Sequence, residues 1–276
     1  MRRAQGFLVF VAAWVGGCGG TGLFRPRPET PPVPASDGRS GERSEVVHFG
    51  LAEDDDYVVR VVAAGVTCSG TLIDGDRVLT AHHCVSQRSG PGEFVARDQE
   101  PDAIRVELGG DYFPWGEVGV RAIVAPPCGY AAGEGDIAIL VLERRLVGVP
   151  TLAPELDRAP NVGEPVDPAG FGRCALSADG IKRQTRRGGR IQTVRGSRYR
   201  LEASICPGDS GGPALDHAGK LVGVISASVM DTSEATVGLS EFTRLDRWRP
   251  LFSNAQQIAD GESPAALPPP SGCPQG

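Results

Sequence analysis

Ser210 stands in the run Cys206-Pro207-Gly208-Asp209-Ser210-Gly211-Gly212-Pro213. A serine hydroxyl is a weak nucleophile at its free pKa, and it is activated by a neighbouring base that a third group holds in place. Bases are scarce, because the chain has 4 histidines. His82 and His83 are adjacent in Leu79-Thr80-Ala81-His82-His83-Cys84, while His48 and His217 lie in less patterned stretches. A carboxylate able to orient an imidazole opens the apolar run Asp136-Ile137-Ala138-Ile139-Leu140. Each feature alone has a bland reading: a glycine-rich turn, a surface or core histidine, a solvated carboxylate at a strand start. Taken together they are the parts needed for acyl transfer.

Those parts need a rigid frame. Val46 begins the ordered pattern, and residues 57–66 and 67–73 read as strands. Asp74-Gly75-Asp76-Arg77 reads as a turn before the histidine segment. Residues 136–142 and 220–228 are near-continuous apolar runs of the kind that form buried strands. One helix stands out, Arg249 to Ala259, with Leu251, Phe252, Ala255 and Ile258 on one face and Pro250 in its first turn. With 38 glycines and 23 prolines in 276 residues, short strands and frequent turns are favoured over long helices. The expected class is all-β, as closed or sandwiched antiparallel sheet.

The N-terminus reads as a targeting segment, with Arg2 and Arg3, then an apolar stretch from Phe7 to Val15, then Val15-Gly16-Gly17-Cys18. That ending resembles a bacterial lipobox, which makes residues 1–17 a signal peptide and Cys18 a lipidated mature N-terminus. A plain signal peptide or a buried strand is the other reading. Residues 18–45, rich in Gly, Pro, Ser and charge, read as a tether or propeptide, and residues 259–276 as a polar tail. Six cysteines remain: Cys68, Cys84, Cys128, Cys174, Cys206 and Cys273. An even set in an exported chain suggests disulfides, and six cysteines allow 15 pairings. No Cys-x-x-Cys pair points to zinc. A net charge of -6 argues against a nucleic-acid partner.

The chain resembles the chymotrypsin/trypsin-like serine peptidases over residues 46–258. Val78-Leu79-Thr80-Ala81-His82-His83-Cys84 is similar to that family's histidine motif, Asp136-Ile137-Ala138-Ile139-Leu140 to its aspartate motif, and Cys206 to Pro213 to its serine motif. The order His, Asp, Ser is also the family's. The resemblance implies two six-stranded antiparallel β-barrels with a C-terminal helix and no metal or organic cofactor. His83, immediately before Cys84, would be the general base, with His82 standing where the family has alanine. Asp136 would orient His83, Ser210 would attack, and the backbone N–H groups of Gly208 and Ser210 would form the oxyanion hole. The resemblance also pairs Cys68 with Cys84, and it makes Cys174 with Cys206 plausible. Cys128 and Cys273 are then left for each other, with free thiols the alternative for these last four.

In the family the residue six before the nucleophile, here Ser204, lies at the base of the specificity pocket, and Ser226 and Ser228 correspond to two further pocket positions. A serine at 204 implies no strong preference for cleaving after basic residues and a choice of small or medium uncharged ones, although Glu234 or Glu241 could enter the pocket. Many relatives need a cut whose new N-terminus pairs with the aspartate before the nucleophile. Here that would be Val46 with Asp209, the alternative being another partner for Asp209 and an enzyme active uncut. Glu53 to Asp56 could bind a cation or form a solvated turn. Lys182 to Arg190 could be a solvated loop, an anion-binding exosite or a contact with acidic lipid headgroups. The expectation is therefore a monomeric, lipid-anchored endopeptidase of a bacterial envelope, acting on protein or peptide substrates. Gly19 after Cys18 favours the outer membrane over the inner. The competing readings are a non-catalytic binding protein on the same scaffold and an esterase-like or self-cleaving enzyme.

Overall fold

A computed structural model describes residues 45–46, 52–88, 94–110, 113–127, 134–174, 181–228 and 238–269. The signal segment, most of the tether, Cys18, Cys128, Cys273 and Glu234 lie outside the described residues, as do the side chains of Val46 and Ser228.

The strands of the first half are β1 (Glu45–Val46), β2 (Val58–Ala63), β3 (Val66–Asp74), β4 (Arg77–Thr80), β5 (Ser86–Arg88), β6 (Phe94–Asp98), β7 (Ile104–Leu108), β8 (Gly116–Val124), β9 (Ala138–Leu142) and β10 (Leu146–Val147). Six of them close a barrel in the order β2-β3-β4-β9-β8-β7. Period-two alternation decides which side faces inward. In β8 this puts Val118, Val120, Ala122 and Val124 inside, with Glu117 and Arg121 outside. Every residue of β9 is buried, because its outer face is covered too. The Asp74–Arg77 turn is held by its own charges and by Arg145, which reaches Asp74 at 2.5 Å and Asp76 at 2.8 Å. β5 and β6 form a separate ribbon, and β1 runs parallel to β10.

The second half contains β11 (Pro165–Gly170), β12 (Gln184–Thr185), β13 (Gly189–Arg190), β14 (Thr193–Arg195), β15 (Arg198–Ala203), β16 (Pro213–Asp216), β17 (Leu221–Ser228) and β18 (Gly238–Arg244). They form an eight-stranded sheet in the order β12-β11-β16-β17-β18-β15-β14, with β13 also on β11. Segment 187–192 brings the sheet round towards β15: β13 pairs with β11, while Ser204 N donates to Arg187 O at 2.9 Å and Gln192 N to Arg200 O at 2.8 Å. The core here centres on Tyr199 stacked on Phe242, ring centroids 5.3 Å apart.

One α-helix follows the second sheet among the described residues, α1 (Arg249–Ala259), with the expected bounds and Pro250 in its first turn. Leu251, Phe252, Ala255 and Ile258 are buried in the core of the first barrel, so α1 is the cover over β9. Arg121 of β8 donates to the carbonyls of Ile258 and Ala259, both at 2.8 Å, satisfying two of the C-terminal acceptors. Part of the stretch expected as a loose tail is docked: Asn254 donates to Pro268 O at 2.8 Å, and Leu267 packs against the same core.

Candidate active site

His83 lies on a single 3-10 turn, His82–Cys84, directly after β4. Its Nδ1 is 2.9 Å from Asp136 Oδ2 and 3.1 Å from Oδ1, and its backbone N–H donates to Oδ1 at 2.9 Å. Asp136 is buried and just precedes β9. Burial alone would raise its pKa; the His83 charge and hydrogen bonds from His83 and Ser226 outweigh burial and hold it below the ordinary aspartate value. Two groups of the second half grip this residue. Ser226 Oγ donates to Oδ2 at 2.5 Å, and Thr243 Oγ1 donates to the Asp136 carbonyl at 2.9 Å. Ser226 also lines the site cavity, so the residue expected in the pocket wall has a second task at the aspartate. Nothing in the sequence signalled Thr243.

The doubled histidine is separated by its carboxylates. His82 Nε2 lies 2.6 Å from Asp98 Oδ1 on β6, whereas His83 faces Asp136. Ser210 sits in the turn between β15 and β16 and lines, with His83, Asp136 and Gly208, one cavity of about 900 Å³. Disulfides brace both sides: Cys68–Cys84 beside the histidine, and Cys174–Cys206 beside the serine loop. The backbone of Ser69 donates to Ser210 O at 2.8 Å, joining β3 to that loop.

Gly208 has φ +103°, in the region that glycine enters without a Cβ penalty. The loop around it is cradled by Phe171-Gly172-Arg173. Gly172 N donates to Asp209 Oδ1 at 2.7 Å and Arg173 N to Pro207 O at 2.9 Å, while Cys206 N donates to Asp209 Oδ2 at 2.8 Å. A Cβ on Gly172 would fall 2.4 Å from Asp209 Cγ, so only glycine lets the backbone come this close.

In the uncut chain Asp209 has a partner other than Val46. Its carboxylate is fully buried, and Arg186 Nε approaches Oδ2 to 2.9 Å. Val46 belongs to β1 and is paired in register with Val147. The cation beside Asp209 in the uncut chain is thus an internal guanidinium. Burial still raises the Asp209 pKa, with Arg186 and the two backbone donors offsetting it only in part.

The charge clusters are likewise tied to one another. Arg183, almost wholly buried, meets Glu53 at 2.8 Å, Asp56 at 2.5 Å and also Asp55. The cation held by the acidic turn is therefore the chain's own. Of segment 182–190, Arg183 and Arg186 are turned inward, while Arg187 and Arg190 stay exposed.

In the pocket region, Ser204 is buried, donates its N–H to Arg187 O, and is not among the lining residues; Ile205 makes that wall. Ser204 thus lies behind Ile205, one residue back from the cavity wall. Ser228 of β17 pairs in register with Ser240. Glu241 does line the cavity, with its two oxygens taken by Arg198 and Arg200, each at 2.7 Å, and Arg198 is also 3.3 Å from Glu134. Two carboxylates and two guanidiniums alternate there and cancel.

A barrel-borne imidazole held by a buried carboxylate beside a glycine-rich serine loop is an arrangement suited to acyl transfer. The trypsin family profile matches residues 52–248. The chain belongs to the trypsin family. It is a trypsin-like serine peptidase by that membership, and the match spans both halves of the fold together with the histidine, aspartate and serine segments. A search of curated proteins gives no match.

Proposed function

We propose that this trypsin-family chain is an exported serine endopeptidase working through His83, Asp136 and Ser210. The observation that carries the reading is the contact of both Asp136 oxygens with His83 Nδ1, at 2.9 and 3.1 Å, beside the cavity that Ser210 lines. With Nδ1 engaged by the carboxylate, Nε2 is the atom that takes the Ser210 proton as Oγ attacks the substrate carbonyl. The N–H groups of Gly208 and Ser210 stabilise the resulting oxyanion. His83 then hands the proton to the leaving amine, leaving an acyl-enzyme. Water, deprotonated by the same imidazole, releases the acid.

Small or medium uncharged side chains suit the pocket. Ile205 and Leu239 supply apolar wall, and the Glu241 carboxylate, already bound by two arginines, offers little to a substrate lysine or arginine. Peptide-library profiling tests this, and cleavage chiefly after Arg or Lys overturns it. The Arg186–Asp209 contact supports an enzyme that is active without a cut before Val46. The lipobox-like run ending in Cys18 supports anchoring in a bacterial envelope, with the outer membrane favoured by Gly19.

Labelling with a fluorescent fluorophosphonate tests the central claim. The wild-type chain should label and Ser210→Ala should not. Folded wild-type protein that takes no label would favour a binding protein on a peptidase scaffold.

A further inference from the structure

We infer that Ser69 is a positioning residue for the oxyanion hole. The inference rests on the peptidase reading above. Ser69 is fully buried on β3, next to Cys68 of the disulfide that braces the histidine turn. Its hydroxyl lies 2.8 Å from Gly208 O and 2.9 Å from Phe171 N. A carbonyl only accepts and an amide N–H only donates, so the roles of the hydroxyl are fixed. It donates to Gly208 O and accepts from Phe171 N. The Ser69 N–H donates to Ser210 O at 2.8 Å, and the Ser69 carbonyl accepts from Thr80 Oγ1, also at 2.8 Å.

One residue of the first barrel therefore grips two carbonyls of the serine loop, those of Gly208 and Ser210. Gly208 is the residue whose N–H must point at the oxyanion. It sits at φ +103°, and glycine backbone turns easily about both of its soft dihedrals. The Gly208 N–H lies in the peptide plane of the Pro207 carbonyl, which Arg173 N holds at 2.9 Å, and the Ser69 hydroxyl holds the next plane through the Gly208 carbonyl; with both planes held, neither soft dihedral of Gly208 can turn and its N–H keeps its aim. Through Cys68–Cys84 and Thr80 the same residue is tied to the turn that carries His83, so base and oxyanion donors share one anchor. The fit is close: a Cβ on Gly170 would fall 2.8 Å from Ser69 Oγ.

The test compares wild type with Ser69→Ala in kcat, KM and affinity for a peptide trifluoromethyl ketone, whose hemiketal oxygen occupies the oxyanion hole. Losing one oxyanion donor costs about 100- to 1000-fold in kcat. Misaiming a donor without deleting it should cost less, about 10- to 100-fold in kcat, with KM within about twofold and inhibitor affinity falling by the same factor as kcat. Ser69→Gly is the second variant, because it opens room for a water to bridge Phe171 N and Gly208 O. It should lose at least about fivefold in kcat at unchanged KM, since a water holds the carbonyl less rigidly. A purely structural serine would lower thermal stability while leaving kcat and inhibitor affinity of folded protein at wild-type values, and that result sinks the inference. Wild-type protein that fails to label with fluorophosphonate sinks the peptidase reading and this inference with it. Wild-type protein that labels, alongside variants that match it in kcat, sinks the inference alone.

Discussion

Asp136 and Asp209 are both buried carboxylates, yet their linkage to pH runs in opposite directions. The folded-state pKa of Asp136 lies below its unfolded value, so its contribution to stability is present above the unfolded value and is lost as pH falls through the folded one. The stability advantage of wild type over Asp136→Asn should therefore be steady above about pH 5 and shrink below about pH 4, read as the difference in urea midpoint. The same substitution should lower kcat by roughly four orders of magnitude, because the imidazole loses its tautomer control. The folded-state pKa of Asp209 lies above its unfolded value, so its contribution is fully present below the unfolded value and declines as pH rises through the folded one. What offsets that decline near neutrality is Arg186. Arg186→Met would strand a buried carboxylate, costing about 3–5 kcal/mol in urea unfolding. An unchanged midpoint would mean that Asp209 does not depend on this guanidinium.

At the scale of elements, the histidine turn hangs between β4 and the Cys68–Cys84 bridge, whose cysteines are 16 residues apart. A loop of that length implies about 3 kcal/mol of stabilisation, to be read from the urea midpoint of the double alanine variant. Arg186 already lies against Asp209, so chains beginning at residue 19 and at Val46 should take fluorophosphonate at equal rates; labelling confined to the Val46 form would support the Val46–Asp209 pair. Much of this architecture was legible in the sequence. Strands such as β2, β3, β9 and β17 announce themselves by apolar runs between turn residues, and α1 by its periodic face. Cys84 fixed the register that made His83 the candidate base. Arg186 was hidden because a run of cations looks alike in composition whether it is solvated or threaded into a fold. Ser69 was hidden because a hydroxyl's partners, here 102 and 139 residues away in sequence, leave no local trace.

For the whole molecule, the decisive fact is that the two halves are not independent. Asp136 of the first half is held by Ser226 and Thr243 of the second, and the first barrel's core is completed by α1 from beyond the second sheet. Leu251→Ala should therefore cost about 2–5 kcal/mol and lower the melting temperature of the entire chain in one transition, measured by calorimetry. Two separate transitions, with only one displaced, would contradict this coupling. The position of α1 also bears on timing. A chain made from its N-terminus onward carries His83, Asp136 and Ser210 before residues 249–259 exist, yet the first barrel lacks its cover until then. On the proposed peptidase reading, competence should come with the arrival of the last helix and not with synthesis of Ser210, so a chain ending at residue 248 should take no fluorophosphonate.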